Sequence, residues 1–242
     1  MENHFNDSIM HISRNTILTN PSYTWVRMDI LELIEPADGM SVLDVGCSNG
    51  VNGDYLKKKF NATVYGVEYD EGYCDEASTK LDKVYHANLN KKSLLDLNIA
   101  KQFDYIIFGD ILEHTIDPWQ ILKDGRTLLK ENGTILISIP NINHYNTIFS
   151  LIFRGRWPYR KRGIHDSTHL RLFTRKNLVE MYEQCGLEII KERRNLRLFE
   201  RGTSLDRIKL ISLVLDFFII RRFFVVQYIH VLRSRKNSQA GK

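Results

Sequence analysis

Short apolar runs rich in β-branched residues alternate along the chain with longer segments whose apolar residues recur every three or four positions. The short runs have the length of buried strands, and the longer segments have the period of amphipathic helices. Seven strands are predicted, at 41–45, 62–68, 83–87, the first part of 103–114, 134–140, 187–192 and 225–232. Strands separated by helical segments favour the α/β class with an open, mostly parallel sheet.

The first predicted strand ends in an acidic residue and a glycine-rich loop, within Ser41–Gly50. The glycines fall at Gly46, Gly50 and Gly53, so the dinucleotide pattern G-x-G-x-x-G is absent. Asp44 would repel a pyrophosphate, but it would attract an ammonium group, while the glycines let backbone N–H groups approach a carboxylate. A ligand that carries both groups is an amino acid joined to a nucleoside.

Three stretches resemble motifs of the class I S-adenosylmethionine methyltransferases. Asp44–Gly50 resembles D-x-G-C-G-x-G, with Ser48 in place of the middle glycine. Phe103–His114 resembles FD-x-I-x-x-x-D-x-LEH, and Leu128–Asn141 resembles LLK-x-x-G-x-x-x-x-x-x-PN. The resemblance implies a Rossmann-like, seven-stranded, mostly parallel sheet with an antiparallel last strand and helices on both faces. It also implies an enzyme whose cofactor is S-adenosyl-L-methionine.

The same resemblance, with the positions of the strand ends, predicts the cofactor-binding residues. Glu68 ends the second predicted strand, where a carboxylate accepts both hydroxyls of a ribose in nucleotide-binding parallel sheets; a plain surface acid is the alternative. Asn88 stands where the family usually has an acid for the adenine edge, and its carbonyl oxygen can still contact an amino group. The predicted set is Asp44, Gly46, Ser48, Gly50, Glu68, Tyr69, Asn88, Leu89 and Asp110.

Three histidines are candidates for catalysis, because a hydroxyl acceptor needs a base that works near neutral pH. His114 follows the fourth strand beside the expected methyl position and is the preferred base or substrate contact. His165 and His169 could do the same work or hold their loop by hydrogen bonds. Asp110 and Asp166 could orient a histidine or bind the acceptor. The trio of His165, Asp166 and His169 is too small for a metal site, so none is predicted.

Substrate recognition is expected in residues 141–174. This segment contains a basic, aromatic loop at 154–162, and residues 163–174 resemble the H-x-R-F-F-T segment of methyltransferases in surface-polysaccharide gene sets. The basic side chains could neutralise the phosphates of a nucleotide-linked or lipid-linked glycan, while Trp157 and Tyr159 stack on a sugar ring. A solvated loop is the plain alternative. RNA could use the same mixture of residues, but the charge excess is small.

The length of 242 residues suits a single domain, here a methyltransferase domain. Within it we expect a helical cover at 1–36, a cofactor-binding core at 37–140, the recognition insert, a hydrophobic helical insert at 203–222 and a tail at 237–242. Charged residues interrupt the second insert, so it does not reach the length of a membrane span. Its apolar face could pack in the core, touch a bilayer or meet a second subunit, and the oligomeric state stays open.

Composition further restricts the kind of protein that the sequence predicts. The hydrophobic fraction of 43% and the charged fraction of 26% are typical of globular proteins and disfavour disorder. The net charge of +5 favours an acidic substrate or a membrane surface, or a solvated basic face. Three cysteines without pairing or metal spacing, and no apolar leader in residues 1–20, predict a cytoplasmic protein, with the inner face of the membrane as an alternative location.

The leading prediction for function is O-methylation of a sugar or a phosphate-linked group in surface-glycan biosynthesis. The first alternative is methylation of a quinone-like or other small hydroxylated metabolite, since the LEH segment also occurs in those enzymes. The second alternative is a binding module that keeps the fold without catalysis. The expected partner is a small-molecule or glycan substrate, with peripheral membrane contact as a further expectation, and nucleic acid is not expected.

Overall fold

The computed structural model describes residues 25–197 and 221–235. In these residues a seven-stranded sheet contains β1 (Ser41–Val45), β2 (Thr63–Glu68), β3 (Lys83–His86), β4 (Phe103–Gly109), β5 (Leu129–Pro140), β6 (Leu187–Leu196) and β7 (Val225–Ser234). The α-helices are α1 (Met28–Leu31), α2 (Val51–Phe60), α3 (Glu71–Ser78), α4 (Pro118–Thr127), α5 (Tyr145–Arg154) and α6 (Arg175–Gln184). Single 3-10 turns lie at Leu95–Leu97, Leu112–His114 and Arg221–Phe224.

The strand order is β3-β2-β1-β4-β5-β7-β6. Strands β1 to β5 pair in parallel, and β7 runs antiparallel between β5 and β6. The predicted fold class, including the antiparallel last strand, is therefore confirmed. The chain order reverses between β1 and β4, and ligands of open α/β sheets bind at the carboxyl ends of the strands at such a point.

Each face of the sheet has its own buried core. Leu43 and Phe108 belong to the core that α4 and α6 cover, whereas Val42 and Ile107 belong to the core that α1, α2 and α3 cover. Neighbouring residues of a strand point to opposite faces, so both faces of a central strand must be apolar when helices cover both. This arrangement explains the continuous apolar runs of the central strands.

Local sequence chemistry sets the starts of two helices. The Asp117 side chain accepts a hydrogen bond from the Gln120 N–H at 3.0 Å, and Pro118 occupies the first turn of α4. Thr174 and Asn177 form a reciprocal capping box at the start of α6. Asp117 and Thr174 are both residue types that favour the start of a helix.

Several element boundaries differ from the prediction. Strand β5 begins at Leu129 rather than at residue 134, because its start pairs with Phe103 across a register shift. Strand β6 extends to Leu196 because it pairs along β7 through two register shifts, although its exposed side is charged and shows no apolar alternation. Helix α1 has only four residues, and the residues that follow it enter the core as turns.

Parts of the predicted organisation lie outside the described residues: most of the cover at 1–36, nearly all of the insert at 203–222, and the tail at 237–242. Among residues 25–197 and 221–235, no helix combines the length and the apolar character that crossing a bilayer requires. The division of the chain into cover, core and inserts stays a prediction.

Gly53 tests the packing of α2 against the sheet. A Cβ at this position would lie 2.4 Å from Leu81 Cδ2 and 2.8 Å from Val64 Cγ1, so the substitution Gly53→Ala must displace core side chains. We expect it to lower the free energy of unfolding by about 1–3 kcal/mol, measured by chemical denaturation. The matched control is Gly72→Ala in α3, whose Cβ would meet only Asp70 Oδ1, at 3.2 Å. It should leave stability unchanged or raise it by up to about 1 kcal/mol, and an equal loss in both variants would contradict the packing argument.

Candidate active site

Acidic residues from three strands meet at the carboxyl edge of the sheet. Asp44 lies near the end of β1, Glu68 ends β2, and Asp110 directly follows β4. Because β1 pairs with both β2 and β4, parallel pairing brings these three strand ends side by side. This edge therefore brings three carboxyl groups together.

Asp44 is buried, with 2% of its surface exposed. One carboxylate oxygen is bonded by the Asn52 side chain, and the other, Oδ2, has no hydrogen-bond partner within the described chain. Burial, and then repulsion by Glu68, raise the pKa of Asp44 to about 7. An ammonium group placed here would supply the missing donor and stabilise the carboxylate form.

The loop after β1 turns through left-handed backbone conformations. Gly46 and Gly50 both have φ of 77°, and Ser48, the residue in place of the family's middle glycine, has φ of 49°. A Cβ at Gly50 would lie 3.1 Å from the Cα of Ala77, and one at Gly46 would lie 3.1 Å from Ile111 Cδ1. The two glycines therefore serve the turn and its packing, in addition to any ligand that approaches the loop.

Glu68 joins the end of β2 to this loop. Its Oε2 accepts the Ser48 N–H at 2.8 Å, and its Oε1 accepts the N–H groups of Tyr69 at 2.8 Å and Asp70 at 2.9 Å. Burial raises the pKa of Glu68 against these bonds. A carboxylate has about four acceptor positions, so three are occupied here, and a ribose that used both hydroxyls would have to displace one backbone donor.

The predicted adenine contacts lie on the neighbouring strand ends. The Asn88 Oδ1 accepts the Asn90 N–H at 2.9 Å, so its carbonyl already has one intramolecular donor. Leu89 packs against the core, whereas half of the Tyr69 surface is exposed. These residues line the edge beside Glu68, and their cofactor roles stay predictions.

Asp110 lies in an ionic network that the sequence does not indicate. It adopts a left-handed backbone conformation with φ of 55°. Its Oδ1 accepts hydrogen bonds from Ser138 Oγ at 2.7 Å and Gln227 Nε2 at 2.6 Å, and its Oδ2 pairs with the Arg27 guanidinium. Arg27 also pairs with Asp29, and its backbone N–H donates to Asn52 Oδ1 at 2.8 Å. The carboxylate of Asp110 is thus occupied by residues of the protein.

Two of the three predicted histidines come together beside this network. His114 and His169 pack edge to face with their ring centres 4.7 Å apart. Glu113, which is 2% exposed, places its Oε1 4.0 Å from His169 Nε2, and neither of its carboxylate oxygens finds a hydrogen-bond partner among the described residues. Glu113, His114 and His169 are called the histidine cluster below.

The ring orientations in the histidine cluster are set by the recognition segment. His169 Nδ1 lies 3.2 Å from the Ile164 carbonyl oxygen, and His114 Nδ1 lies 3.1 Å from Thr168 Oγ1. Burial, and then the neighbouring His114, lower the pKa of His169 to about 4, so this ring is neutral at pH 7. The pKa of Glu113 is raised, first by burial and then by Asp110.

His165 lies elsewhere. It is fully buried, its Nε2 lies 2.9 Å from Thr147 Oγ1, and its ring packs edge to face on Trp157 at 5.1 Å. This environment is typical of a histidine that holds a loop. In the loop at 154–162, Trp157 is engaged by that contact, while Tyr159 and the basic side chains are exposed.

Sequence reasoning missed Arg27, Asn52, Ser138 and Gln227, and it included Glu113 only as part of the stretch Phe103–His114, without a role of its own. Arg27 and Gln227 lie 200 positions apart and meet only through the sheet topology. Asn52 follows the glycine loop by two positions, so its place in the first turn of α2 was a usable signal. Another acceptor without a hydrogen-bond partner in the described chain, Asn49 Oδ1, lies in the glycine loop itself.

Comparison with known proteins decides the family. Residues 26–192 match the family described as Methyltransferase domain, which spans more than half of the chain. The chain belongs to this family.

Individual relatives agree with that membership. The ubiquinone biosynthesis O-methyltransferase of Coxiella burnetii is 28% identical in one strain and 31% in another, over 179 residues that cover 72% of each chain. A SAM-dependent methyltransferase from Archaeoglobus fulgidus superposes with a TM-score of 0.58 at 18% identity, over 85% of this chain and 90% of that one. One from Clostridium acetobutylicum gives a TM-score of 0.58 at 14% identity, over 96% and 99%. The methyltransferase is therefore an enzyme, and its cofactor is S-adenosyl-L-methionine.

The residues at the sheet edge fit that cofactor. Asp44 offers an unpartnered, buried acceptor to an ammonium group, and the carboxylate of Glu68 lies at the next strand end for a ribose. The backbone of the glycine loop lies between them. The surface-polysaccharide resemblance, in contrast, finds no support among these relatives.

The charge of Asp44 should control donor binding by the methyltransferase. Only the ionised carboxylate attracts the ammonium group, so donor affinity should rise with pH up to about 7 and then level off. The measurement is calorimetry from pH 5.5 to 7.5, below the range where an α-amino group itself loses its proton, about 7.7–8.0. Asp44→Asn should bind the donor more weakly and without this pH dependence. A pH-independent wild-type affinity would contradict the assignment.

The same carboxylate should lower the stability of the ligand-free methyltransferase. The folded pKa of Asp44, about 7, lies above its ordinary value of 3.8, so the stability present at low pH is lost as the pH rises through 7. Asp44→Asn should therefore be more stable than the wild type at pH 8, by an amount on the order of a few kcal/mol, and the difference should shrink toward pH 5. Denaturant titrations at both pH values measure it.

Glu68→Gln should weaken donor binding. The amide keeps one oxygen for the three backbone N–H groups and loses the charge. Loss of a hydrogen bond to a charged group costs about 1.5–3 kcal/mol, so donor affinity should fall roughly tenfold to a hundredfold. The control is Glu71→Gln on the exposed start of α3. Unchanged donor affinity in Glu68→Gln would show that the ribose lies elsewhere.

Proposed function

We propose that the methyltransferase methylates a hydroxyl oxygen of a small phenolic or quinol-like metabolite. The observation that carries the reaction type is the histidine cluster, which places two imidazoles beside the end of β4. The acceptor class follows from the similarity to ubiquinone biosynthesis O-methyltransferases, which covers 72% of the chain. This was the alternative to the glycan hypothesis in the sequence analysis, and the relatives support it better.

On the donor side, the protein mainly has to orient S-adenosyl-L-methionine. When bound, S-adenosyl-L-methionine supplies an electrophilic methyl carbon, which the acceptor oxygen takes up as S-adenosyl-L-homocysteine is released. Asp44 holds the amino group, Glu68 holds the ribose, and the glycine loop approaches the rest of the methionyl part. Alignment of donor and acceptor can supply on the order of 7–11 kcal/mol in favourable cases.

The acceptor side must remove a proton. His114 is half-buried, and its Nδ1 is fixed toward Thr168, so its Nε2 can face an acceptor hydroxyl. That hydroxyl gives its proton to the imidazole as its oxygen bonds to carbon. His169 packs against this ring and restricts its orientation. His165 forms a hydrogen bond with Thr147 and thereby holds the loop in place. Proton removal by a positioned base contributes roughly a hundredfold to ten-thousandfold.

A glycan acceptor remains the second candidate, because the loop at 154–162 exposes five basic side chains and Tyr159. These groups suit a phosphate-linked sugar.

One experiment distinguishes the two acceptor classes. Purified enzyme and donor are incubated with a catechol, a hydroquinone and a panel of nucleotide sugars, and the products are identified by mass spectrometry. We expect methylated catechol or hydroquinone. Transfer only to nucleotide sugars would replace the leading proposal, and donor binding without transfer to any member of the panel would reject both acceptor classes.

His114→Gln tests the acceptor side on the substrate found in that panel. We expect kcat to fall by about a hundredfold to ten-thousandfold, because glutamine cannot take up the proton, while donor affinity is unchanged. Rates are measured by release of S-adenosyl-L-homocysteine, and donor affinity by calorimetry. Equal weakening of donor affinity and rate would indicate that His114 contacts the cofactor instead of the acceptor.

A further inference from the structure

The histidine cluster contains a buried carboxylate that no hydrogen bond satisfies. Both oxygens of Glu113 lack a partner in the described residues, although the residue is 2% exposed. Buried polar groups in folded proteins are almost always hydrogen-bonded, and a buried carboxylate is usually paired or bound to a metal. The role of His114 as a base does not use this carboxylate.

The neighbours of Glu113 offer lone pairs instead of protons. The Nδ1 of His169 lies 3.2 Å from a backbone carbonyl oxygen, which accepts only from a protonated nitrogen, so Nε2 is the ring nitrogen that is left with a lone pair. This Nε2 is the atom that lies 4.0 Å from Glu113 Oε1. Two acceptors therefore face each other at a distance too long for a hydrogen bond.

The spacing suits a cation between them. One ligand atom from each of Glu113, His114 and His169 can be chosen so that all three lie within 4.8 Å of one another. Two tetrahedral zinc ligands at about 2.1 Å from the ion lie roughly 3.4 Å apart. Small side-chain rotations would bring the three ligand atoms of the cluster to that separation. A hydrogen bond from the second ring nitrogen to a carbonyl or hydroxyl is the usual way in which a protein orients a ligating histidine, and His169 and His114 both show it.

One further carboxylate, that of Asp166, is linked to the cluster through a hydroxyl group. Asp110 and Arg27 pair with each other, so their charges largely offset. The Asp166 carboxylate accepts the Thr168 hydroxyl at 2.7 Å, and the same hydroxyl oxygen lies 3.1 Å from His114 Nδ1. This cluster differs from the trio of His165, Asp166 and His169 that the sequence analysis considered. Only His169 is common to both, and Glu113 and His114 come from the turn after β4.

We propose that Glu113, His114 and His169 bind a divalent first-row transition cation, Zn²⁺ foremost. Two imidazoles and one carboxylate are a ligand set that zinc uses in catalytic sites, with the remaining position open to water or substrate. Magnesium prefers oxygen ligands and should bind far more weakly.

The catalytic consequence rests on the proposed function. A hydroxyl that coordinates the cation loses its proton more readily, so the proton leaves to solvent while the oxygen bonds to carbon, and His114 acts as a ligand instead of a base. The two roles of His114 differ in one respect: only the ligand role makes the rate depend on the cation.

Metal binding is measured first on the full chain after dialysis against a chelator. Co²⁺ is titrated and followed by its visible absorption, and Zn²⁺ and Mg²⁺ by calorimetry. We expect one Co²⁺ or Zn²⁺ per chain, and at least about tenfold weaker binding in Glu113→Gln and in His169→Gln. The matched controls are Glu183→Gln and His86→Gln, at exposed positions outside the cluster, which should keep the Co²⁺ spectrum.

The outcomes separate the two proposals. Binding that Glu113→Gln and His169→Gln leave unchanged, or absence of binding in folded wild-type protein, would overturn the metal site and leave the hydroxyl-methylation proposal standing. Full turnover of chelator-treated enzyme would also overturn the metal role, with His114 then acting as the base. One bound cation without methyl transfer to any acceptor would uphold the site and reject the proposed function. Folding of each variant is checked by circular dichroism.

Discussion

Asp44 and Glu113 are both buried at the carboxyl edge of the sheet, and three of their four carboxylate oxygens lack a hydrogen-bond partner in the described chain. An uncompensated buried charge costs several kcal/mol, so burial raises the pKa of both carboxyl groups. A positively charged ligand beside either group would stabilise its carboxylate form. The two apolar cores of the sheet hold the strand ends in place against that cost. These carboxylates favour ligands that bring positive charge, and we propose an ammonium group at Asp44 and a cation at the histidine cluster.

The same edge shows how a strand end can serve structure and binding at once. Glu68 accepts three backbone N–H groups and thereby fixes the glycine loop to β2. A ribose hydroxyl that takes the place of one of these donors gains that acceptor, and the displaced backbone N–H has to find another partner. Donor recognition is in this sense coupled to the conformation of the loop, in which Ser48 holds a left-handed backbone that glycine adopts more easily.

The elements that carry the proposed donor site were predictable from the sequence, because they are local. β1, the glycine loop, β2 and Asn88 follow one another within about fifty positions, and each strand end carries its polar residue directly in sequence. Apolar runs and caps identify those elements without knowledge of the rest of the fold. The boundaries of β5 and β6 were wrong where register shifts, which depend on the partner strand, extend the pairing.

The acceptor half was less predictable because it is assembled from distant segments. Arg27, Asp110 and Gln227 meet only when β7 inserts antiparallel beside β5, and His169 reaches Glu113 only through the fold of 141–174. The backbone carbonyl of Glu113 accepts the N–H groups of Leu170 and Arg171 at 2.8 and 3.0 Å, which ties the recognition segment to the turn after β4. A change in the recognition segment is therefore expected to move the histidine cluster as well. The segment that we propose to choose the acceptor thus also positions His114 and His169, the side chains that we propose to activate it.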